Sequence, residues 1–197
     1  MFDRVVGSVA RQARAAAVAL TMVSLVVSGA AGWNGASVAL AAVEPSSIAL
    51  VPADLPPGFV IDQSRTSDDV VDGVGPRHIR SLARDATPAN VASGPVFVIQ
   101  SVIRLDSGLG AGDALRLQRD YWVNRVGYSP TSAGPNDGGT FSLVKRDNGV
   151  VSYVVGFIKE NMIIVTIAGG ADGVVQYQDA VAYAGKTSAK LDAALGR

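Results

Sequence analysis

The first forty residues follow a pattern that limits the folded domain to the rest of the chain. Arg4, Arg11 and Arg14 precede an apolar run over 15–27, and Ala39–Leu40–Ala41 follows it. A positive start, an apolar middle and an A-x-A exit are the parts of a secretory signal peptide. We therefore predict that residues 1–41 direct export and that the remainder folds as a secreted or extracytoplasmic protein.

Two other interpretations of this leader stay open. Ser28–Ala30 offers a second cleavage point, and the apolar run extended to Gly32 is just long enough for a short membrane-spanning helix. An uncleaved anchor over 15–32 would still leave the domain outside the cytoplasm. A buried core helix is the third possibility. The chain has no cysteine, which excludes lipid attachment at a leader cysteine.

Composition excludes several function classes. The leader holds three arginines and one aspartate, so the 17 basic and 17 acidic residues of the chain become 14 and 16 without it. Without the leader the chain has a net charge near −2. It therefore lacks the basic excess of a nucleic-acid-binding protein, and we expect no nucleic-acid partner. The missing cysteines exclude disulfides, thiolate metal ligands and cysteine nucleophiles.

The first part after the leader is rich in proline. Pro45, Pro52, Pro56 and Pro57 fall within residues 42–57, and proline favours extended backbone for itself and for the residue before it. We predict a linker over 42–57 and one domain over 58–197, a normal domain size.

Alternating apolar residues predict six strands, at 59–65, 77–85, 96–105, 140–146, 150–157 and 162–168. Turns at 147–149 and 159–161 join the last three, since Asp-Asn-Gly is a strong hairpin signal. Helical spacing predicts one helix from an Asp113 N-cap to Gly127 and a second behind an Asp172 cap. The result is an α+β fold, an antiparallel sheet in β-β-β-α-β-β-β-α order with both helices on one face.

The motifs that suggest cofactors or metals fail on spacing. Gly108, Gly110 and Gly112 do not match G-x-G-x-x-G, and Asp113 would repel a phosphate there. The carboxylates in 68–72 do not match a calcium loop. No serine-nucleophile motif occurs. We predict no cofactor, no metal and no catalytic residue that a motif identifies.

Two sets of polar side chains are candidates for recognition. Arg80 and Arg84 share one face of a predicted strand, and Arg104 joins them if the second and third strands pair. Such a patch can hold a carboxylate or a phosphate, whereas a solvated face is the simpler interpretation. His78, the one histidine, can act as a general base or lie in a strand without a chemical role.

Two aromatic residues lie near the predicted loop 128–139. Trp122 and Tyr128 could anchor a contact with a ligand or partner, although core packing is the more ordinary use of Trp122. We place the expected contact surface on the sheet face that the helices leave uncovered, together with this loop.

Several segments carry a resemblance to a known family. These are "LPPGF" at 55–59, "FVIQSVIRL" at 97–105, "VKRDNGVVSYVVGF" at 144–157 and "NMIIVTIAG" at 161–169. Their layout resembles that of bacterial exported α+β domains of the PsbP-like type. The resemblance implies an antiparallel sheet with flanking helices and an accessory role, and it transfers no catalytic residue.

These observations together favour an exported, non-enzymatic domain that binds a protein partner or a small ligand outside the cytoplasm. One alternative is a secreted hydrolase that uses His78 with dispersed carboxylates such as Asp62, Asp85 and Asp106. Another is a self-associating structural subunit of the envelope. In all three, contact with a membrane occurs only through an uncleaved leader.

Overall fold

An antiparallel sheet of seven strands organises the computed structural model, which describes residues 43–67, 74–105 and 110–197. Its order is β1-β2-β3-β7-β6-β5-β4, and every pairing is antiparallel. The strands are β1 (Val60–Ser67), β2 (Val74–Ala83), β3 (Phe97–Leu105), β4 (Ser129–Pro130), β5 (Thr140–Asp147), β6 (Val150–Lys159) and β7 (Met162–Ala171). The predicted α+β fold with an antiparallel sheet is confirmed.

Four α-helices accompany the described strands. They are α1 (Pro45–Ile48), α2 (Pro88–Ala92), α3 (Ala111–Tyr121) and α4 (Tyr177–Ala194). A 3₁₀ turn covers Pro52–Asp54, and α3 continues as a π-helical turn over Trp122–Val126. Among these residues, no helix combines the length and apolarity needed to cross a bilayer. The predicted leader lies outside the described residues.

The predicted N-caps of the two long helices are wrong. Helix α3 begins at Ala111 after Gly110, which places Asp113 inside the first turn. Helix α4 begins at Tyr177, where the Gln176 backbone N–H donates to the Asp179 carboxylate at 2.8 Å. The predicted end of the first helix is confirmed, since Gly127 adopts φ 83° there.

Both predicted hairpin turns of the second half are present. Asn148 and Gly149 have φ of 51° and 78°, the left-handed pair that a two-residue turn between twisted strands requires. Glu160 at φ 55° forms the next turn. These turns fix the registers in which β6 pairs with β5 and with β7.

The long helices lie on opposite faces of the sheet, so the prediction that both share one face is wrong. Residues of α3 pack with Phe97 and Ile99 of β3, whereas residues of α4 pack with Val98. We call these the α3 face and the α4 face. The first seven positions of β3 are buried on both sides. A strand that is apolar on both faces needs cover on both, which two helices on one side cannot give.

The segment predicted as a linker is a packed part of the domain. Six apolar side chains between residues 43 and 59 are buried on the α4 face; they are Val43, Ile48, Ala49, Leu50, Leu55 and Phe59. Pro45 and Pro52 each occupy a first helical position, where proline is favoured because the missing N–H has no helical partner. We call residues 43–59 the N-terminal segment.

Candidate functional site

Two of the predicted arginines hold the N-terminal segment. Arg80 donates from Nη1 to the Leu50 carbonyl at 2.9 Å, and burial lowers the pKa of its guanidinium. Arg104 Nη1 lies 3.3 Å from Glu44 Oε1. These arginines do share the α4 face, as the strand pattern predicts, but part of their donor capacity is used inside the protein.

Arg84, the third predicted arginine, is almost fully buried at the end of β2. Its Nε donates to the Pro95 carbonyl at 2.8 Å and its Nη2 to the Asn90 carbonyl at 2.9 Å. Its guanidinium carbon lies 5.3 Å from the centre of the Phe59 ring. Burial lowers its pKa. Arg84 thus ties α2 and the N-terminal segment to the sheet.

Gln100, which the sequence analysis did not single out, joins three elements on the same face. Its Oε1 accepts from the Leu50 backbone N–H at 2.8 Å, while Nε2 lies 3.1 Å from Thr166 Oγ1 and 2.6 Å from Thr187 Oγ1. The side chain is fully buried. A buried amide with its partners satisfied makes the position of the N-terminal segment specific.

The two candidate aromatic residues belong to the core of the α3 face. Trp122 has no exposed surface and Tyr128 is 4% exposed, with their ring centres 5.4 Å apart. The Tyr128 hydroxyl lies 2.8 Å from Ser152 Oγ, and burial raises the pKa of Tyr128 to about 12. Trp122 therefore packs in the core, which is the more ordinary use of a tryptophan.

His78 is buried between β1 and β2 on the α4 face. Its Nδ1 lies 2.8 Å from Thr66 Oγ1 and its Nε2 3.3 Å from Ser64 Oγ. Burial, and then the nearby Arg80 charge, lower the pKa of the imidazole. In the part of the chain that the structure describes, no carboxylate hydrogen-bonds to this ring. The neutral ring is therefore the form that the fold favours.

The other predicted site residues are either exposed or outside the described residues. Asp62 and Asp85 are exposed. Asp106, the carboxylates of 68–72 and Gly108 lie outside the described residues. Within 43–67, 74–105 and 110–197, no cluster of three or more histidine, aspartate or glutamate side chains could bind a metal ion.

A partly exposed group of polar and aromatic side chains lies on the α4 face at β5 and β6. Arg146 donates from Nη2 to the Tyr153 hydroxyl at 3.0 Å, and its guanidinium carbon is 5.9 Å from that ring's centre. Arg146 Nε also lies 3.4 Å from Asp172 Oδ1. The Tyr177 ring packs edge-on against Tyr153 at 6.2 Å. We call these four residues the Tyr–Arg surface.

The loop over 131–139 is held against this surface. The Asn136 Oδ1 accepts from the Ser142 N–H at 2.9 Å, and Asp137 Oδ1 accepts from the Thr140 N–H at 2.8 Å. Gly134 lies so close to Tyr177 that a Cβ there would be 1.9 Å from the tyrosine hydroxyl oxygen. The predicted loop at 128–139 therefore includes strand β4 (Ser129–Pro130), and its remainder over 131–139 is an ordered neighbour of the Tyr–Arg surface.

The hairpin turn between β5 and β6 is a sequence signal for this surface. The Asn148–Gly149 turn sets the register that pairs Val144 with Tyr153. Arg146 then lies diagonally across from Tyr153 on the same face, within reach of a long side chain. Counting residue pairs outward from the turn therefore predicts that Arg146 and Tyr153 are neighbours.

The α+β arrangement is shared with a solved extracellular domain. No known protein family and no curated protein matches the chain. The fold is similar to the extracellular domain of PknH from Mycobacterium tuberculosis, with a TM-score of 0.50 at 13% identity, covering 77% of this chain and 95% of that one. A GTP-binding regulator from Thermotoga maritima aligns at a TM-score of only 0.32 and 10% identity, covering 68% of this chain and 78% of that one, which is too weak a likeness to indicate a shared fold. The first likeness shows the fold alone.

Proposed function

We propose that this chain is an exported, non-enzymatic domain that binds a partner outside the cytoplasm through the Tyr–Arg surface and the adjoining loop over 131–139. The observation that carries the proposal is the half-exposed pair of Arg146 and Tyr153 beside an ordered loop. Arginine and tyrosine dominate the energetics of protein interfaces. A protein partner fits this open surface, and a small ligand is the other candidate of the same proposal.

Two further observations support the proposed location outside the cytoplasm. The packed N-terminal segment reaches Val43, two residues after Ala41 of the predicted cleavage site, and Val43 is 6% exposed. The extracellular domain that shares the fold supports the same placement. The finer PsbP-like assignment stays a hypothesis.

The ordered geometry favours binding without a large entropy loss. Arg146 is already held by Tyr153 and Asp172, and the neighbouring loop by its own side-chain hydrogen bonds. Groups that are fixed before binding lose less freedom when a partner arrives. The Arg146 side chain remains 54% exposed, so its donors can still reach a partner's acceptor groups.

The test is a crosslinking experiment on the full chain in its host. Because the natural chain has no cysteine, a Ser132→Cys variant carries one thiol in the loop for a photoactivatable crosslinker. We expect a crosslinked partner that Arg146→Ala reduces about tenfold, the loss typical of a strong interface residue. Native mass spectrometry of the same samples detects a small ligand.

Arg116→Ala is the matched control, because Arg116 is 55% exposed and also ion-paired, but on α3. Both substitutions remove exposed ion pairs, so each should change stability by less than about 1 kcal/mol. An adduct that Arg146→Ala and Arg116→Ala affect equally would contradict the assigned surface. Absence of both an adduct and a bound ligand would contradict the binding function.

A further inference from the structure

His78, the one histidine of the chain, takes no part in the proposed binding surface. Its ring is 3% exposed and connects β2 to β1, because Nδ1 contacts Thr66 Oγ1 and Nε2 contacts Ser64 Oγ. Thr66 lies directly opposite His78 in the sheet, on the α4 face. Histidine is the side chain whose ordinary pKa lies near neutral pH. A buried ring that contacts two side chains of the neighbouring strand can therefore make their contact depend on pH.

The hydrogen bonds around the ring are complete when the ring is neutral. Arg80 Nε donates to Ser64 Oγ at 3.4 Å, which leaves the Ser64 hydroxyl hydrogen for His78 Nε2. A neutral imidazole that accepts at Nε2 carries its proton on Nδ1, which then donates to Thr66 Oγ1. A second proton, on Nε2, would set two cationic donors against the one Ser64 oxygen. A charged ring therefore disrupts this arrangement.

The charged side chains of the surrounding elements also favour the neutral ring. They are Arg80 of β2, Arg104 of β3, Glu44 and Asp54 of the N-terminal segment, and Lys186 and Lys190 of α4. Glu44 pairs with Arg104, and Asp54 pairs with Lys190. On β1, Arg65 lies on the opposite face of the sheet. Burial, and then the Arg80 charge, lower the pKa of the imidazole, so a proton on His78 adds a repelling charge beside Arg80.

Arg80 connects the ring to the N-terminal segment. Its Nη1 donates to the Leu50 carbonyl, while its Nε holds Ser64 of β1. Val102 of β3, the partner of His78 in the sheet, packs against the same segment. Movement of Arg80 away from a charged imidazole would therefore disturb the hydrogen bond to Leu50 and the hydroxyl contacts of β1 together.

We propose that His78 is an acid-sensitive switch: when its ring gains a proton, the N-terminal segment and β1 loosen from β2. In the unfolded chain a histidine binds a proton as the pH falls through about 6.5, whereas the buried ring, whose pKa is lower, resists it. The contact is thus fully stable above this pH and weakens as the pH falls below it. The switch is independent of the Tyr–Arg surface, which lies at β5 and β6.

Hydrogen exchange of the full chain tests the switch, because it measures the opening of the N-terminal segment. We expect this opening to rise at least about threefold from about pH 7.5 to about pH 5.5, after correction for the chemical exchange rate. The peptide that covers β7 is the internal control and should not change. His78→Gln keeps a donor and an acceptor without a titrating ring, and it should abolish the rise. No rise in the natural chain, or an equal rise in His78→Gln, would overturn the proposal.

Nuclear magnetic resonance decides the question if His78→Gln does not fold. The natural chain has one histidine, so the ring signals belong to His78 alone. We expect the ring to titrate below about pH 6.5, and the amide signals of Leu50 and Thr66 to shift with the same midpoint. A higher midpoint, or a ring that titrates while both amide signals stay unchanged, would contradict the switch. The crosslinking experiment with Arg146→Ala, carried out near neutral pH, is unaffected by either result.

Discussion

A chain that begins at residue 58 is expected to lose its cooperative fold, whereas a chain that begins at residue 42 keeps it. The shorter chain lacks five buried apolar side chains of the N-terminal segment, among them Ile48, Leu50 and Leu55. Each of these three large side chains contributes about 1.5–3 kcal/mol by burial, and a whole domain is stable by only about 5–15 kcal/mol. The truncation also leaves Gln100 and Arg80 without their Leu50 partners.

Thermal unfolding followed by circular dichroism compares the two chains. A single substitution tests the same contact more mildly. Leu50→Ala should lower the free energy of unfolding by about 2–5 kcal/mol, and Val60→Ala is the matched control. Val60 is 62% exposed, so its truncation should stay within about 0.5 kcal/mol. A chain over 58–197 that melts cooperatively at the same temperature as 42–197 would show that the N-terminal segment is dispensable.

Trp122→Ala is expected to destabilise the domain by about 3–5 kcal/mol, since the side chain is fully buried among aromatic neighbours on the α3 face. Trp122→Phe should cost less, because it keeps an aromatic ring and removes an indole N–H that finds no hydrogen-bond partner among the residues that the structure describes. Urea unfolding of the chain over 42–197 measures both effects. Trp122 is the one tryptophan in that range, so the emission of the unsubstituted chain also reports on this site.

Tyr121→Ala is the control for the tryptophan substitutions. Tyr121 packs edge-on against the same ring at 5.9 Å but is only partly buried, so its truncation should cost clearly less. A stable Trp122→Ala variant would argue against the core role, as would native fluorescence emission at the wavelength of the unfolded chain. Either result would return Trp122 to the candidates for partner contact.

The strands and turns could be predicted because their signals are local. Period-two apolar patterns mark the strands, and the Asn148–Gly149 pair leaves little choice of turn. The placement of the two helices on opposite faces of the sheet was also predictable, because β3 has apolar residues on both of its faces. The apolar stripe of a helix shows only that the helix needs a surface to cover, and the second apolar face of β3 is what places the two helices on opposite sides.

The N-terminal segment and the arginines show what local reasoning misses. Pro45 and Pro52 favour extended backbone by local rules, whereas in the structure each begins a short helical turn. The carbonyl that Arg80 binds belongs to Leu50, 30 positions away in sequence. Pairing over such a distance depends on tertiary packing, so the pattern located the arginines on one face without revealing that the N-terminal segment uses them.

Mass spectrometry of the protein's own N-terminus in fractions of its host tests the central claim most directly. If the packed domain follows an export leader, the extracytoplasmic protein begins at Ala42, leaving Val43 and the whole N-terminal segment in place. An intact leader in the membrane fraction, with the domain outside, would show that the leader is an uncleaved membrane anchor. A soluble cytoplasmic protein that retains Met1 or Phe2, or an exported form that begins beyond Ile48, would contradict the account.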